Sequence, residues 1–278
     1  MKVVMTLLVR NEEDIIRENI LFHLNMGVNK FIVTDNNSED GTLDILEQFV
    51  KIGIVDLIHE PEDTYDQWRW VTRMAHKAMS EYQPDWLIHS DADEFWFPAS
   101  GNLKTVLSTV PEEFLTLRVP RNDFIPRPEK GEHVLDRMII KDLRSMNHIG
   151  KPLPPKMCHR PIPGVIVAQG NHKLKFPENL PFYETPQLEI LHFPMRSYKQ
   201  FEYKISLGGA ALERNQKLSK SLQQGWRNLY EDYKSGKLPD YYFSKVLSDE
   251  AVADGFNEGR YCQDTRLKDF LTNNQIIN

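Results

Sequence analysis

The sequence predicts an α/β fold, with a mostly parallel central sheet flanked by helices and a C-terminal helical extension. Three observations predict it. Val3–Val9, Lys30–Thr34 and Ile54–His59 are apolar, β-branched-rich runs that need cover on both faces. Helical patterns lie between them, as crossovers between parallel strands require. A fourth apolar run, Trp86–Ser90, passes abruptly into Asp91, Asp93 and Glu94. That puts a carboxylate cluster where such sheets bind ligands, outside the carboxyl ends of the strands.

The elements follow in order. After Val9, Asn11 is placed to cap a helix whose first turn carries Glu12, Glu13 and Asp14. Ile16, Ile20 and Leu24 form its apolar stripe, and Gly27 closes it. The second strand ends in the turn cluster Asp35-Asn36-Asn37-Ser38-Glu39-Asp40-Gly41-Thr42. A helix over Leu43–Val50 and the third strand come next. Tyr65–Tyr82 predicts a longer helix with Trp68, Val71, Thr72, Ala75 and Met79 inward, stopped by Pro84. Beyond the fourth strand, Leu103–Leu107 reads as a short helix and Phe114–Val119 as a strand. The five prolines of residues 151–164 predict irregular chain there. Val165–Ala168 and Leu188–Leu191 read as short strands, Tyr198–Asn215 and Leu222–Tyr233 as helices. The tail after Asp249 has weak signals, and disorder is expected at its end.

Composition bounds the function. The chain has 278 residues, enough for one large domain with an appendage. Its 34 basic and 40 acidic residues give a net charge of -6, which argues against nucleic acid as a partner. Cys158 and Cys262 form no metal-type spacing, and a reducing, cytoplasmic setting is the simpler reading, with one disulfide between them the alternative. The first apolar run reads as a core strand rather than a signal segment, and no run reaches the length of a membrane span.

Asp91, Asp93 and Glu94 carry the chemistry. Carboxylates this close repel unless a cation sits among them. In extended chain Asp91 and Asp93 point to the same side, offering hard oxygen ligands to Mg²⁺ or Mn²⁺. A solvated acidic turn is the bland alternative. Two further polar clusters, Arg10-Asn11 and Asp35 to Ser38, also follow strands and would share the same sheet edge.

Leu8-Val9-Arg10-Asn11-Glu12, then Val33 to Thr42, then His89-Ser90-Asp91-Ala92-Asp93-Glu94-Phe95 together resemble family 2-type glycosyltransferases of the GT-A (Rossmann-like) fold. The branch with D-A-D-E-F and a late H-[FY]-P is most similar, since Leu191-His192-Phe193-Pro194 stands here before a helix. The resemblance covers about residues 1–205. It implies a GT-A domain over 1–197, with a nucleotide-binding half (1–100) and an acceptor half (101–197), before the extension 198–278. It implies that Asp35 binds a nucleotide base, that Asp91 approaches the ribose or the metal, and that Asp93 ligates the metal, Mn²⁺ or Mg²⁺. Asn11 and Asn37 belong to the same nucleotide-facing clusters, and Arg10 or Arg73 would add positive charge. Lys156, His159, His172 and His192 would line an acceptor or phosphate site. His192 matches the family motif and is expected to complete the metal shell near Asp93. The family's later E-D pair, which supplies the catalytic base, is not evident; Asp123 and Glu94 are the candidates in its place.

The expected activity is therefore metal-dependent transfer of a sugar, with inversion, from a nucleotide sugar (UDP-linked) to a hydroxyl of a carbohydrate or glycolipid acceptor, with peripheral membrane contact through that acceptor. Polysaccharide biosynthesis is the setting the resemblance implies. A nucleotidyltransferase would want a glycine-rich loop where Arg10-Asn11-Glu12-Glu13 stands. A phosphatase would want a threonine where Phe95 stands. A nucleotide- or glycan-binding module without a base remains the non-enzymatic alternative.

Overall fold

The computed structural model describes residues 1–99, 101–176, 180–216, 218–219 and 223–277. In chain order its elements are β1 (Val3–Val9), α1 (Ile16–Asn25), β2 (Lys30–Asp35), α2 (Thr42–Lys51), β3 (Val55–His59), α3 (Gln67–Lys77), β4 (Trp86–Asp91), β5 (Glu94–Pro98), α4 (Leu103–Ser108), β6 (Thr116–Val119), β7 (Arg121–Asp123), α5 (Val134–Arg137), β8 (Ile140–Asp142), β9 (Lys156–His159), β10 (Ile166–Val167), β11 (Leu174–Lys175), β12 (Phe182–Tyr183) and β13 (Leu188–His192). Then come α6 (Tyr198–Arg214), α7 (Gln224–Lys234), α8 (Leu238–Lys245), α9 (Asp249–Asn257), β14 (Tyr261–Gln263) and α10 (Arg266–Asn273). The chain divides into two compact units, residues 1–62, 66–121 and 154–191 in the first, and 63–65, 122–153 and 192–278 in the second.

The first unit is built on a sheet of seven strands among the described residues, ordered β12-β6-β9-β4-β1-β2-β3. β4, β1, β2 and β3 run parallel, so the predicted α/β fold with a mostly parallel sheet is present. β9 is inserted antiparallel between β4 and β6. Val3, Val4, Met5, Ile32, Val33, Leu87 and Ile88 have no exposed surface, which fits strands covered on both faces. α3 packs over them through Val71, Met74 and Ala75.

Several expectations need correction. Asn11 caps no helix: it sits in the left-handed region at φ 56°, and α1 begins only at Ile16. α3 starts at Gln67 and gives way to a π-helical turn over Ala78–Tyr82. Its inner face carries Trp70, while Trp68 is exposed. The proline-rich stretch is not irregular throughout. Pro155 and Pro161 flank β9, so the residues that must donate to the ladder are free to do so. The weak-signal tail forms α9, β14 and α10, and Ile277 is buried. Leu222, expected to begin a helix, lies outside the described residues, as does Asn278 at the tail's end.

Among the described residues the second unit holds two apolar clusters. Phe201 and Ile205 of α6 pack with Leu229, Leu238 and Tyr242. Gly209 permits the close approach of α6 and α7, since a Cβ there would lie 2.2 Å from the Tyr230 ring. The other cluster joins Ile125, Ile140, Val252 and Tyr261, beside the antiparallel pair β8–β14.

Buried histidines stitch the first unit. His159 Nδ1–H donates to the Arg160 carbonyl (2.6 Å), which leaves its Nε2 to accept from His89 Nε2–H (2.9 Å). His89 Nδ1 then accepts from the Thr6 hydroxyl (2.8 Å). Every donor and acceptor is matched only while both rings are neutral. Burial pushes His159 down to about 4 and His23 down to about 3. An unfolded histidine titrates near 6.5, so the unfolded chain takes up protons that the folded chain refuses. The stability these rings contribute is complete above about pH 6.5 and is withdrawn as pH falls toward 4. Each ring should remove about 2 kcal/mol by pH 5. The expected result is a melting temperature that drops between pH 6.5 and pH 5; a flat profile across that window contradicts the neutral pairing.

Candidate active site

The turn between β4 and β5 is braced by a helix. Asn19 of α1 has no exposed surface, and its Nδ2 donates to the carbonyls of Ala92 and Glu94, both at 2.9 Å. These two bonds bracket Asp93. His23, one helical turn on, donates from Nδ1 to the Asn19 carbonyl (2.8 Å) and accepts the Trp96 N–H at Nε2 (3.1 Å). Trp96 Nε1–H in turn donates to Ser90 Oγ (3.0 Å). The carboxylate turn is thus pinned on both sides, and Asp93 is only 1% exposed.

Two cations balance the cluster. Lys156 of β9, with 0% exposure, places Nζ 2.5 Å from Asp91 Oδ2 and 3.2 Å from Glu94 Oε1. Arg121 reaches Glu94 Oε1 at 2.8 Å. The other Glu94 oxygen accepts the Asp91 N–H at 3.3 Å. Asp91 Oδ1 accepts from Gln67 Nε2 (3.4 Å) and Asn171 Nδ2 (3.3 Å). Asn171 is buried and left-handed at φ 60°, and its Oδ1 has no hydrogen-bond partner among the described residues. Asp91 keeps its side chain 30% exposed, so it forms the open edge of the group.

A second polar group lies at the ends of β2 and β3. An open cleft of about 480 Å³ is lined by Asp35, Asn37, Ser38, His59, Glu60 and Pro61, among others. Asp35 is buried; its Oδ2 accepts the Ser38 N–H (3.2 Å), while Oδ1 has no partner among the described residues. Asn11 braces the loop beyond Asp35. Its N–H donates to Ser38 Oγ (2.9 Å) and its Oδ1 accepts the Glu39 N–H (2.7 Å), with a buried Nδ2 left over. Asn37 donates to the Pro61 carbonyl (3.1 Å), and Arg73 pairs with Glu60 at 2.9 Å. Arg10 follows β1 directly, half-buried.

The remaining candidates separate. His159 is consumed by the His89 pairing. His172 Nδ1–H donates to the Pro155 carbonyl (3.0 Å); burial, then the charges of Lys156 and Arg121, push the ring down to about 3. His192 belongs to the second unit, where its Nδ1 lies 2.6 Å from Asp123 Oδ1. The two are fixed by backbone as well: the Phe124 N–H donates to the His192 carbonyl (2.8 Å), and the Asp123 N–H donates to Ser145 Oγ (2.8 Å). Sequence reasoning missed Asn19, His23, Gln67, Arg121 and Asn171. For Asn19 and His23 a signal existed, two polar residues four apart beside the apolar stripe of α1.

Among the described residues no group of three or more His, Cys, Asp or Glu is set to hold a metal ion. The oxygen set still fits one in kind. Asp91 and Asp93 are hard donors, and Asn171, whose Nδ2 donates to Asp91, carries a third hard oxygen, Oδ1, with no hydrogen-bond partner among the described residues.

Residues 3–236 match glycosyltransferase family 92. A glycosyltransferase family 92 protein of Oryza sativa subsp. japonica is 29% identical over 137 residues, which cover 45% of this chain and 22% of that protein. The chain thus spans about a fifth of the length of that relative. Among solved structures, S. aureus TarS (residues 1–349) in complex with UDP-GlcNAc is 11% identical, with 94% of this chain and 93% of that chain covered and a TM-score of 0.46. M. tuberculosis glucosyl-3-phosphoglycerate synthase in complex with Mn²⁺, UDP and phosphoglyceric acid is 16% identical over 57% and 55% of the two chains, with a TM-score of 0.32. The motif order suggested a family 2-type enzyme; the family found is a different one with the same chemistry in its name. Since the match runs from β1 through α7 and takes in every carboxylate discussed above, the chain belongs to glycosyltransferase family 92.

Proposed function

We propose that this chain transfers a sugar from a uridine diphosphate sugar to a hydroxyl of a carbohydrate or glycolipid acceptor, with inversion. Asp35 carries the reading. A buried carboxylate oxygen without a partner among the described residues, in a cleft at the carboxyl ends of β2 and β3, is the acceptor that the N3–H of uracil needs. Cytosine has no donor at that position. Binding UDP therefore satisfies Asp35, and binding CDP leaves it orphaned. An orphaned buried acceptor costs about 1–3 kcal/mol, so UDP should bind roughly five- to a hundredfold more tightly than CDP. Asp35→Asn presents an N–H and should erase or reverse the preference. Calorimetric titration of the two nucleotides decides; equal affinities in the native protein remove the role.

The other residues take their parts from this reading. Asn11 and Asn37 hold the loop that carries Asp35's neighbours. Asp91 and Asp93, with the Asn171 carbonyl, are the residues that would hold Mn²⁺ or Mg²⁺, whose contribution when bound is to neutralise the departing diphosphate. Glu94, buried and tied to Arg121, Lys156 and the Asp91 N–H, is the anchor of the turn rather than a proton acceptor. Proton removal from the acceptor hydroxyl falls to Asp123 with His192. The carboxylate holds Nδ1–H, which leaves Nε2 as the basic nitrogen.

Asn19 gives a test that leaves every charged group in place. Asn19→Ala frees both carbonyls around Asp93. The expected result is a tenfold or larger fall in turnover with a smaller change in UDP affinity; unchanged turnover would mean that the turn holds its shape without the clamp.

A further inference from the structure

The Asp91 carboxylate already has a cation. Lys156 is fully buried in a central strand, and a buried ammonium persists only where it is paired. Its shorter contact, 2.5 Å, is to Asp91 and not to Glu94, which Arg121 serves independently. Asn171, whose Nδ2 donates to Asp91 Oδ1 (3.3 Å), carries on the same amide a buried oxygen, Oδ1, with no hydrogen-bond partner among the described residues. An ammonium gives three donors, and none is spent on this oxygen. A divalent ion collects several oxygens at once.

We propose that Lys156 and a divalent cation are alternative counter-ions of Asp91. The ammonium holds the carboxylate in the donor-free protein, and the ion gains Asp91 only by displacing it. This rests on reading Asp91 and Asp93 as the residues that hold the ion. It goes beyond that reading by assigning Lys156 as an internal competitor of the metal. A cation leaves Asp91 as another arrives, so the carboxylate is never left alone, and the displaced ammonium keeps Glu94, 3.2 Å away, as its counter-ion. It also makes the nucleotide-free protein a poor binder of divalent ions, since the ion must first overcome a short, desolvated ion pair.

The test is Mn²⁺ affinity without nucleotide, read by the loss of free Mn²⁺ in electron paramagnetic resonance. The native protein is expected to bind weakly. Lys156→Met is expected to bind Mn²⁺ at least tenfold more tightly, and Lys156→Arg no more tightly than native. Arg121→Met removes one positive charge from the same cluster without releasing Asp91, so it separates competition from a general field effect. It is expected to show no comparable gain. Lys156→Met combined with Glu94→Gln restores the charge balance in case the single variant does not fold, and is expected to keep the gain. A folded Lys156→Met protein that binds Mn²⁺ no better than native, or an equal gain from Arg121→Met, overturns the proposal. UDP binding by the native protein is measured separately. Its absence would sink the proposed function, whereas native UDP binding with no gain on removing Lys156 sinks only this inference.

Discussion

Replacing Asp93 with alanine is expected to abolish Mn²⁺-dependent binding of UDP, weakening it at least a hundredfold, while the protein remains folded. The expectation follows from where the residue sits. Asp93 is almost wholly buried in a turn that Asn19 clamps from both sides, so its carboxylate has little freedom to be replaced by a neighbour. Glu94 is already bound to Arg121 and Lys156 and is not available to substitute for it. Losing one of the few anionic ligands of a divalent ion removes several kcal/mol of charge stabilisation. Loss of two orders of magnitude corresponds to about 2.7 kcal/mol, well within that range. Calorimetry of UDP with and without Mn²⁺, alongside a melting curve, reads the outcome. A folded Asp93→Ala protein that binds UDP and Mn²⁺ as the native chain does would place the ion elsewhere.

The contrast between Asp93 and its partners explains what the sequence revealed. β1, β2, β3 and β4 were legible because a strand covered on both faces must be apolar at every position, and Val3–Val9 or Trp86–Ile88 has no other simple reading. The carboxylates were legible because like charges in a row demand a cause. β9 was not legible. Five prolines surround four residues, and the pattern that marks a breaker is the same pattern that bounds a short strand. With β9 hidden, Lys156 was visible only as a lysine in a loop, and its place against Asp91, 65 residues away, had no local trace. Arg121, Asn171 and Gln67 were missed for the same reason: they meet the carboxylates through tertiary structure, at sequence separations that no periodicity reports. Trp68 and Trp70 show a finer limit. Two tryptophans on one amphipathic helix differ in face by about 200°, at 3.6 residues per turn, and choosing the wrong one as inward misplaces the stripe.

Asp123→Asn is expected to lower the turnover number by about a hundred- to ten-thousandfold, the usual worth of a positioned general base, with UDP and Mn²⁺ affinities unchanged within twofold. Asp123 Oδ1 lies 2.6 Å from His192 Nδ1, and backbone hydrogen bonds fix both residues. A carboxylate can only accept, so it selects the tautomer with hydrogen on Nδ1 and leaves Nε2 basic. An asparagine amide turned toward the ring donates to Nδ1 instead, and the hydrogen moves to Nε2, where a base is needed. The substitution therefore leaves the shape of the pair intact while inverting its chemistry. His192→Ala should cost a similar factor, and the double variant should be little worse than either single one, because the two act as a unit. The same pair would also suit a metal ligand, since a carboxylate on Nδ1 commonly orients a histidine whose Nε2 binds an ion. Mn²⁺ affinity separates the roles. If His192→Ala loses turnover and keeps Mn²⁺ binding, the imidazole is the base. If it loses Mn²⁺ affinity tenfold or more, the imidazole is a ligand and Asp123 its orienting partner. If both variants turn over like the native protein, the pair serves only to hold β7 in place.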